Sequence, residues 1–348
     1  MAVVATGFFD GVHLGHRQVI QTLVSSARSR GEEAIVVTFA QHPRAVLQQD
    51  ARSLRLLNSP QEKEALLRGL GVDRVEVLPF DRAFACLRAE AYIRTVLQER
   101  MGATALVLGY DNRLGSDRLT PASIRPIAES LGLEVIVVPP ASVAVLGEAV
   151  SGDGKDATAV PSGNRSHPRL VRGGTASEAQ RWGPKDVSGG EQQCGPEAGD
   201  RQFVSSTKIR EALSGGRVEE AASMLGYAYG LRGIVVGGKQ LGRTLGFPTA
   251  NLRLYDPMKL VPARGVYLTE VEVLGRRWWG MTNVGEPIET HIFDFDEDIY
   301  GLDLAIRFRR WLRDMRPFGS LDALKAQLAA DEAVCRAMLP EESCRFSK

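Results

Sequence analysis

Two histidines and several glycines crowd the start of the chain, in the run Gly7-Phe8-Phe9-Asp10-Gly11-Val12-His13-Leu14-Gly15-His16. Glycines let a backbone come close to a phosphate chain, and the first turn of a helix offers free N–H groups to an anion. Imidazoles placed there can hydrogen-bond phosphate oxygens while negative charge builds during group transfer. The same residues also read as a Gly-rich turn carrying two surface histidines. A second run, Gly237–Leu252, copies the spacing of a phosphate-binding P-loop over Gly237–Thr244, with Arg243 where lysine belongs. A P-loop is excluded, because Pro248 interrupts the helix that should follow and the flanking pattern is antiparallel β. Taken alone, Pro248-Thr249-Ala250-Asn251 is a Pro-initiated turn. The acidic run Asp294–Asp298 lacks the spaced ligands and glycine of a calcium loop and reads as a solvated turn.

The elements around the histidines must position them. Ala2–Thr6 is a short apolar run ending at Gly7, the pattern of a buried parallel strand. Arg17–Arg30 is helical, with Val19, Ile20, Leu23, Val24 and Ala27 on one face. Further strands fall at Ala34–Phe39, Arg74–Phe80, Ala105–Gly109 and Glu134–Pro139, with helices over Glu62–Leu70 and Ala89–Met101. Strands alternating with helices predict an α/β domain with a parallel sheet, whose ligands bind beyond the carboxyl ends of the strands. Gly7 and Gly109 both stand at such ends.

The 348 residues suggest two domains. From about 148 to 202 Gly, Ser, Pro, Asp and Gln dominate and no period is visible, so this stretch is expected to be a long flexible insertion. Order is expected to resume at Val204–Leu213, where a Ser/Thr cluster caps an amphipathic helix. A helix near Val218–Leu225 follows. Beyond it, alternating segments between Gly-rich turns predict an antiparallel, barrel-like β domain closed by a helix over Leu321–Met338, with Ser320 as N-cap. The predicted organisation is 1–147 and 203–226 for the first domain, 148–202 for the insertion, and 227–348 for the second domain.

Apolar residues make up 44% of the chain and charged residues 24%, with a formal net charge of +1. That balance supplies no basic footprint for nucleic acid and no polybasic membrane patch, so local features must hold any anionic substrate. No apolar run approaches the roughly 20 residues that span a bilayer. Cys86, Cys194, Cys335 and Cys344 have no metal-ligand spacing and read as reduced thiols, which together with the lack of a leader pattern predicts a cytoplasmic protein.

Residues Gly7–His16 resemble the HxGH nucleotidyltransferase superfamily, and their longer GxFDGxHxGH form is similar to bacterial FAD synthetase modules. Thr38–Pro43 resembles that family's second-strand motif, Gly109–Gly115 its GxDxxFG loop, and Val204–Arg210 its SSTxIR signature. In the third motif Asn112 and Leu114 replace the usual aromatic or histidine residues. The resemblance implies ATP lying across Gly7, Phe8, Asp10, Gly11 and Gly15, with His13 and His16 near the transferring phosphate. It implies that Ser206, Thr207 and Arg210 close on the β- and γ-phosphates, and that Asp111 contacts ATP. FMN would attack the α-phosphorus and expel pyrophosphate, with Mg²⁺ bridging phosphate oxygens.

Gly237–Leu252 resembles the riboflavin kinase signature GxxxGRxxGFPTAN. Gly238, Gly242 and Arg243 then fall at nucleotide-binding positions, Thr249 and Asn251 at those holding Mg²⁺ and phosphate. Met281–Gly285 matches the family's N-[IV]-G element, which puts Asn283 against flavin. Glu289–Gly301 matches the segment whose leading glutamate, Glu289, is the general base. The whole resemblance is to bacterial bifunctional riboflavin kinase/FAD synthetases. It implies riboflavin, FMN and ATP as ligands; the charge balance leads us to expect no nucleic-acid or membrane partner, and a monomer or weak homo-oligomer is expected.

The chain departs from that pattern in two places. Only Glu286-Pro287-Ile288 separate Gly285 from Glu289, where the family carries a longer loop over the active site, which predicts a weakened kinase. The 148–202 stretch replaces a short connection, and the chain starts almost directly at strand one, so a preceding family segment is expected to be missing or very short. Two other readings remain open from sequence: a nucleotidyltransferase for another phosphorylated acceptor, and a flavin-binding regulator that has lost turnover.

Overall fold

The computed structural model describes residues 1–43, 46, 55–144, 201–238 and 241–339. The expected flexibility of 148–200 lies outside the described residues.

The first domain is a five-stranded sheet in the order β3-β2-β1-β4-β5, parallel throughout. Its strands are β1 (Ala2–Thr6), β2 (Glu33–Phe39), β3 (Arg74–Leu78), β4 (Ala103–Gly109) and β5 (Glu134–Val138). The helices α1 (Leu14–Arg30), α2 (Pro60–Gly69), α3 (Arg82–Ala85), α4 (Ala89–Tyr92) and α5 (Pro121–Ser130) join them. The helix expected over Ala89–Met101 is present, but from Ile93 to Arg100 it widens into π-helical turns. β1 and β4 are near-continuous apolar runs because both faces are covered. One face packs Val3, Ala5 and Val107 with Ile20 and Leu23 of α1, and the other packs Val4 and Leu106 with Ile93 and Leu97. The chain turns back across the sheet between β2 on one side of β1 and β4 on the other. The turn after β1 therefore sits at the topological switch point, where open α/β sheets bind ligands.

β6 (Ser142–Ala144) pairs with β7 (Arg201–Phe203). Arg201 and Gln202 thus belong to a strand. α6 (Ser206–Ser214) follows, capped by Ser205, then α7 (Val218–Leu225). Their apolar faces, including Ile209, Leu213 and Leu225, share one buried cluster with the second domain. That domain is a closed antiparallel barrel in the order β10-β11-β12-β9-β8-β13. It comprises β8 (Gly230–Val236), the short α8 (Leu241–Thr244), β9 (Ala250–Leu254), β10 (Gly265–Val273), β11 (Arg276–Val284), β12 (Ile288–Ile292) and β13 (Asp303–Arg313). α9 (Leu321–Ala337), capped by Ser320, closes it with Cys335 against Phe247, Leu268, Met281 and Phe293. Inside the barrel the hydroxyls of Thr269, Thr282 and Thr290 satisfy one another at 2.9 Å steps.

Candidate functional site

The turn between β1 and α1 is strained. Phe9 and Val12 have φ of 55° and 36°, and for a β-branched residue the latter is a true outlier. Gly11 has φ of 85°, and a Cβ on it would meet Leu57 Cδ1 at 2.7 Å. The turn delivers His13 to the N-cap of α1, where its Nδ1 accepts the His16 N–H at 3.3 Å. The His13 ring stacks on that of His16 with centroids 3.7 Å apart. A Cβ on Gly15 would press on the His13 ring at 3.3 Å, so glycine there leaves the ring room. Burial pulls His13 down to about 4 and His16 well below its ordinary value. With Nδ1 occupied as an acceptor, neutral His13 carries its proton on Nε2, a donor that needs no charge. His16 Nδ1 is buried without a hydrogen-bond partner.

Asp10 is turned away from this pair. Its buried carboxylate accepts from Leu57 N at 3.0 Å and Asn58 N at 3.3 Å and pairs with Arg210. Burial pushes the carboxyl up, opposed by the Arg210 guanidinium and the two peptide N–H groups. Ser206 Oγ donates to the Asp10 carbonyl at 2.9 Å, so α6 is docked on the turn. Arg210 Nε also donates to the Arg55 carbonyl. Ser206 and Arg210 thus lie beside the turn, each bonded to Asp10, whereas Thr207 is exposed. Asp111 is exposed on the loop after β4, which Asn112 ties to β1 by donating to the Thr6 carbonyl at 3.0 Å.

Lys63 escaped the sequence reading. Its Nζ, buried on α2, donates to the Phe8 carbonyl and Thr38 Oγ1, each at 3.0 Å, and lies 4.0 Å from the Phe8 ring centroid. Burial lowers its pKa to about 8 against the pull of Asp10. Its signal was a lysine one helical turn before buried Leu67, on the apolar face of α2.

In the barrel, strand register assembles a second constellation. Glu289 of β12 stands opposite Asn251 of β9 on one side and Asn283 of β11 on the other. Directly opposed residues share a face, so the three form a row. The Oδ1 atoms of both asparagines are buried and lack a hydrogen-bond partner. A Cβ on Gly238 would lie 2.2 Å from Asn251 Nδ2, and one on Gly242 would lie 2.3 Å from the Phe247 carbonyl and 3.2 Å from Thr249 Oγ1. Glycine at 238 lets the backbone lie against the Asn251 amide, and glycine at 242 lets it lie against Phe247 and Thr249. His291, which sequence reasoning missed, fixes the Pro248 carbonyl through Nδ1 at 2.8 Å. Arg243 and Thr249 line a cavity of about 360 Å³ bounded by Phe295–Tyr300. The acidic run forms its exposed rim, as a solvated turn. The β11–β12 connection is only Gly285–Pro287.

The donor set fits a hard cation: the orphaned Asn251 amide oxygen and the Thr249 hydroxyl two residues before it are neutral oxygen ligands, suited to an ion coordinated mainly by phosphates. Among the described residues no cluster of three His, Cys, Asp or Glu side chains could itself hold a metal. No helix among them is long and apolar enough to cross a membrane.

Comparison with known proteins matches two families along the chain. A family model described as FAD synthetase matches residues 1–152, and one described as riboflavin kinase matches residues 225–339. The bifunctional riboflavin kinase/FMN adenylyltransferase of Listeria monocytogenes is 30% identical over 347 residues, covering 96% of this chain and 91% of its own. Its Escherichia coli K12 counterpart is 31% identical over 344 residues with the same coverage. The crystal structure of a macrolide-efflux protein from Streptococcus pneumoniae superposes with a TM-score of 0.75 at 31% identity, covering 97% of this chain and 94% of that one. With both family models matched in order and these two relatives covered over 91% of their length, the chain belongs to the bifunctional riboflavin kinase/FMN adenylyltransferase family.

Proposed function

We propose that the barrel phosphorylates riboflavin to FMN through the row Asn251–Glu289–Asn283, and that the α/β domain adenylylates FMN to FAD at the His13/His16 turn. The observation that carries the reading is the pair of buried, unpartnered asparagine oxygens flanking a carboxylate. Unsatisfied buried acceptors are costly, about 1–3 kcal/mol each, and persist where a ligand completes them.

In the barrel, Glu289 removes the proton from the riboflavin 5′-hydroxyl. The freed oxygen attacks the γ-phosphorus of ATP and ADP leaves. Thr249 and Asn251 would hold Mg²⁺, which when bound neutralises charge on the phosphate oxygens. Arg243 faces the cavity that receives the nucleotide, while Asn283 orients flavin from the far side of Glu289.

In the α/β domain, a phosphate oxygen of FMN attacks the α-phosphorus of ATP and pyrophosphate leaves. No covalent enzyme intermediate is needed, so the residues act by positioning and charge stabilisation. His13 and His16, both neutral, donate to phosphate oxygens. The backbone of Gly7, Phe8, Gly11 and Gly15 admits the phosphate chain. Ser206, Thr207, Arg210 and Asp111 grip the rest of ATP, and Asp10 shapes the turn from beneath. The free thiols of Cys86 and Cys335 fit a reducing cytoplasm, where we place both reactions.

Incubation with riboflavin, ATP and Mg²⁺ followed by flavin chromatography tests the reading. FMN and then FAD are expected. Bound but unchanged riboflavin would overturn it in favour of a flavin-binding regulator.

A further inference from the structure

We propose that Lys259, a barrel residue on the β9–β10 connection, is a positioning residue for adenylyl transfer in the other domain. The inference rests on the His13/His16 turn being the adenylyl-transfer site.

Residues 55–58 form a strap between the two domains. The strap is joined to the barrel by backbone bonds from Leu56 N to the Met258 carbonyl and from Leu260 N to the Leu56 carbonyl, each 2.8 Å. Lys259 sits in the middle of this bridge and is only 5% exposed. Its Nζ donates to the Leu57 carbonyl at 2.8 Å and pairs with Glu62 of α2. The Tyr229 ring lies against the same ammonium, 4.8 Å from its centroid.

The other side of the strap carries the turn. The Leu57 peptide is used twice: its carbonyl takes Lys259, and its N–H holds Asp10. Asn58 N adds a second bond to Asp10, and the Arg55 carbonyl takes Arg210. Asn58 Nδ2 reaches Tyr227 Oη, which donates to the Gly11 carbonyl at 2.8 Å. Leu57 Cδ1 also fills the space that any side chain at Gly11 would need. Asp10, Gly11 and Arg210 therefore all take their positions from a strap that one buried barrel ammonium anchors. Removing that ammonium leaves the Leu57 carbonyl and Glu62 short of their partner and frees the strap to shift. Small displacements of positioning groups cost rate far from the chemistry itself.

The test compares both reactions in full-length wild type, Lys259→Met and Lys259→Arg. Methionine keeps the length of the side chain and removes the charge. FAD formation from supplied FMN is expected to fall about tenfold or more in Lys259→Met, chiefly in kcat, with FMN formation from riboflavin within about twofold of wild type. Lys259→Arg should recover part of the loss. Equal FAD formation in Lys259→Met and wild type would overturn the inference, as would a parallel loss of both activities. If Lys259→Met fails to fold, Lys259→Gln decides: its neutral amide is too short to span both the Leu57 carbonyl and Glu62, and a selective loss of FAD formation supports the inference while unchanged FAD formation overturns it. A wild-type chain that makes no FAD at all refutes the underlying site assignment instead.

Discussion

Asn251 and Glu289 are direct cross-strand partners on β9 and β12, so a buried amide and a half-buried carboxylate stand side by side on one barrel face. Asn283 completes the row from β11. A carboxylate so placed can accept a proton from a hydroxyl lodged between the two amides. Glu289→Gln preserves shape and removes the basicity. FMN formation should drop about 10²-fold or more, the range for loss of a general base. Conversion of supplied FMN to FAD should stay intact, read by chromatography of each half-reaction. Undiminished FMN formation would remove Glu289 from its role.

Gly238 offers a steric test of the same row. Alanine there drives its methyl into Asn251 Nδ2, which would be only 2.2 Å away. Asn251 must rotate off its present position, and the donor set for phosphate and metal is spoiled. Gly238→Ala should lower kcat/KM for riboflavin phosphorylation by about tenfold or more, equivalent to ~1.4 kcal/mol of transition-state binding. The KM for ATP should carry much of the change. A kinase indifferent to this methyl would show that Asn251 does not touch the nucleotide.

Much of this arrangement could be read before the fold was known, and the limits have physical causes. Ala2–Thr6 and Ala105–Gly109 declare themselves because strands buried on both faces are apolar without interruption. The glycines of both motifs announce close backbone approach. Register is another matter: nothing in the spacing of Asn251, Asn283 and Glu289 says they align, because alignment is set by turns and barrel closure. The motif position of Asp10 does not reveal that the Leu57 and Asn58 N–H groups donate to its carboxylate. Lys63, Tyr227 and Lys259 were invisible for a related reason. A lone lysine or tyrosine is ordinary in sequence and becomes informative only when buried beside a carbonyl or a carboxylate.

The short Gly285–Pro287 connection makes a prediction about water. The sequence resemblance implies a longer loop over the kinase site; with only three residues there, solvent is excluded less completely and γ-phosphate transfer to water competes with transfer to riboflavin. ADP production should exceed FMN production in the kinase half-reaction, measured by coupled assay against flavin chromatography. Extending the loop with a longer segment containing a Pro-Thr pair should bring the ratio toward one and lower the KM for riboflavin. Strict one-to-one stoichiometry in the unmodified chain would refute the loop argument.

The final prediction concerns acid. Burial holds His13 at about 4 in the folded protein, against an ordinary value of 6.5. Above pH 6.5 neither folded nor unfolded chain protonates it, and its contribution is fully favourable. As pH falls from 6.5 towards 4, the unfolded chain takes up the proton first, so stability is lost through that window, by at most on the order of 3 kcal/mol for this group. His13 should contribute no ionisation near pH 6.5 to the acid limb of adenylyl transfer, because the working imidazole is already neutral there. A limb that belongs to the substrate phosphates, whose second ionisation falls at about pH 6, should persist in a His13 variant. His13→Asn retains an N-cap acceptor for the His16 N–H while removing the titration. Thermal melts at pH 7 and pH 5 should show a larger drop in midpoint for wild type than for His13→Asn, whereas FAD formation by the variant should fall about 10²-fold for want of the Nε2 donor. An equal drop in both midpoints, together with an acid limb near 6.5 that is present in the wild-type rate and absent from that of His13→Asn, would mean that His13 is solvated and charged during turnover and that the neutral-donor mechanism is wrong.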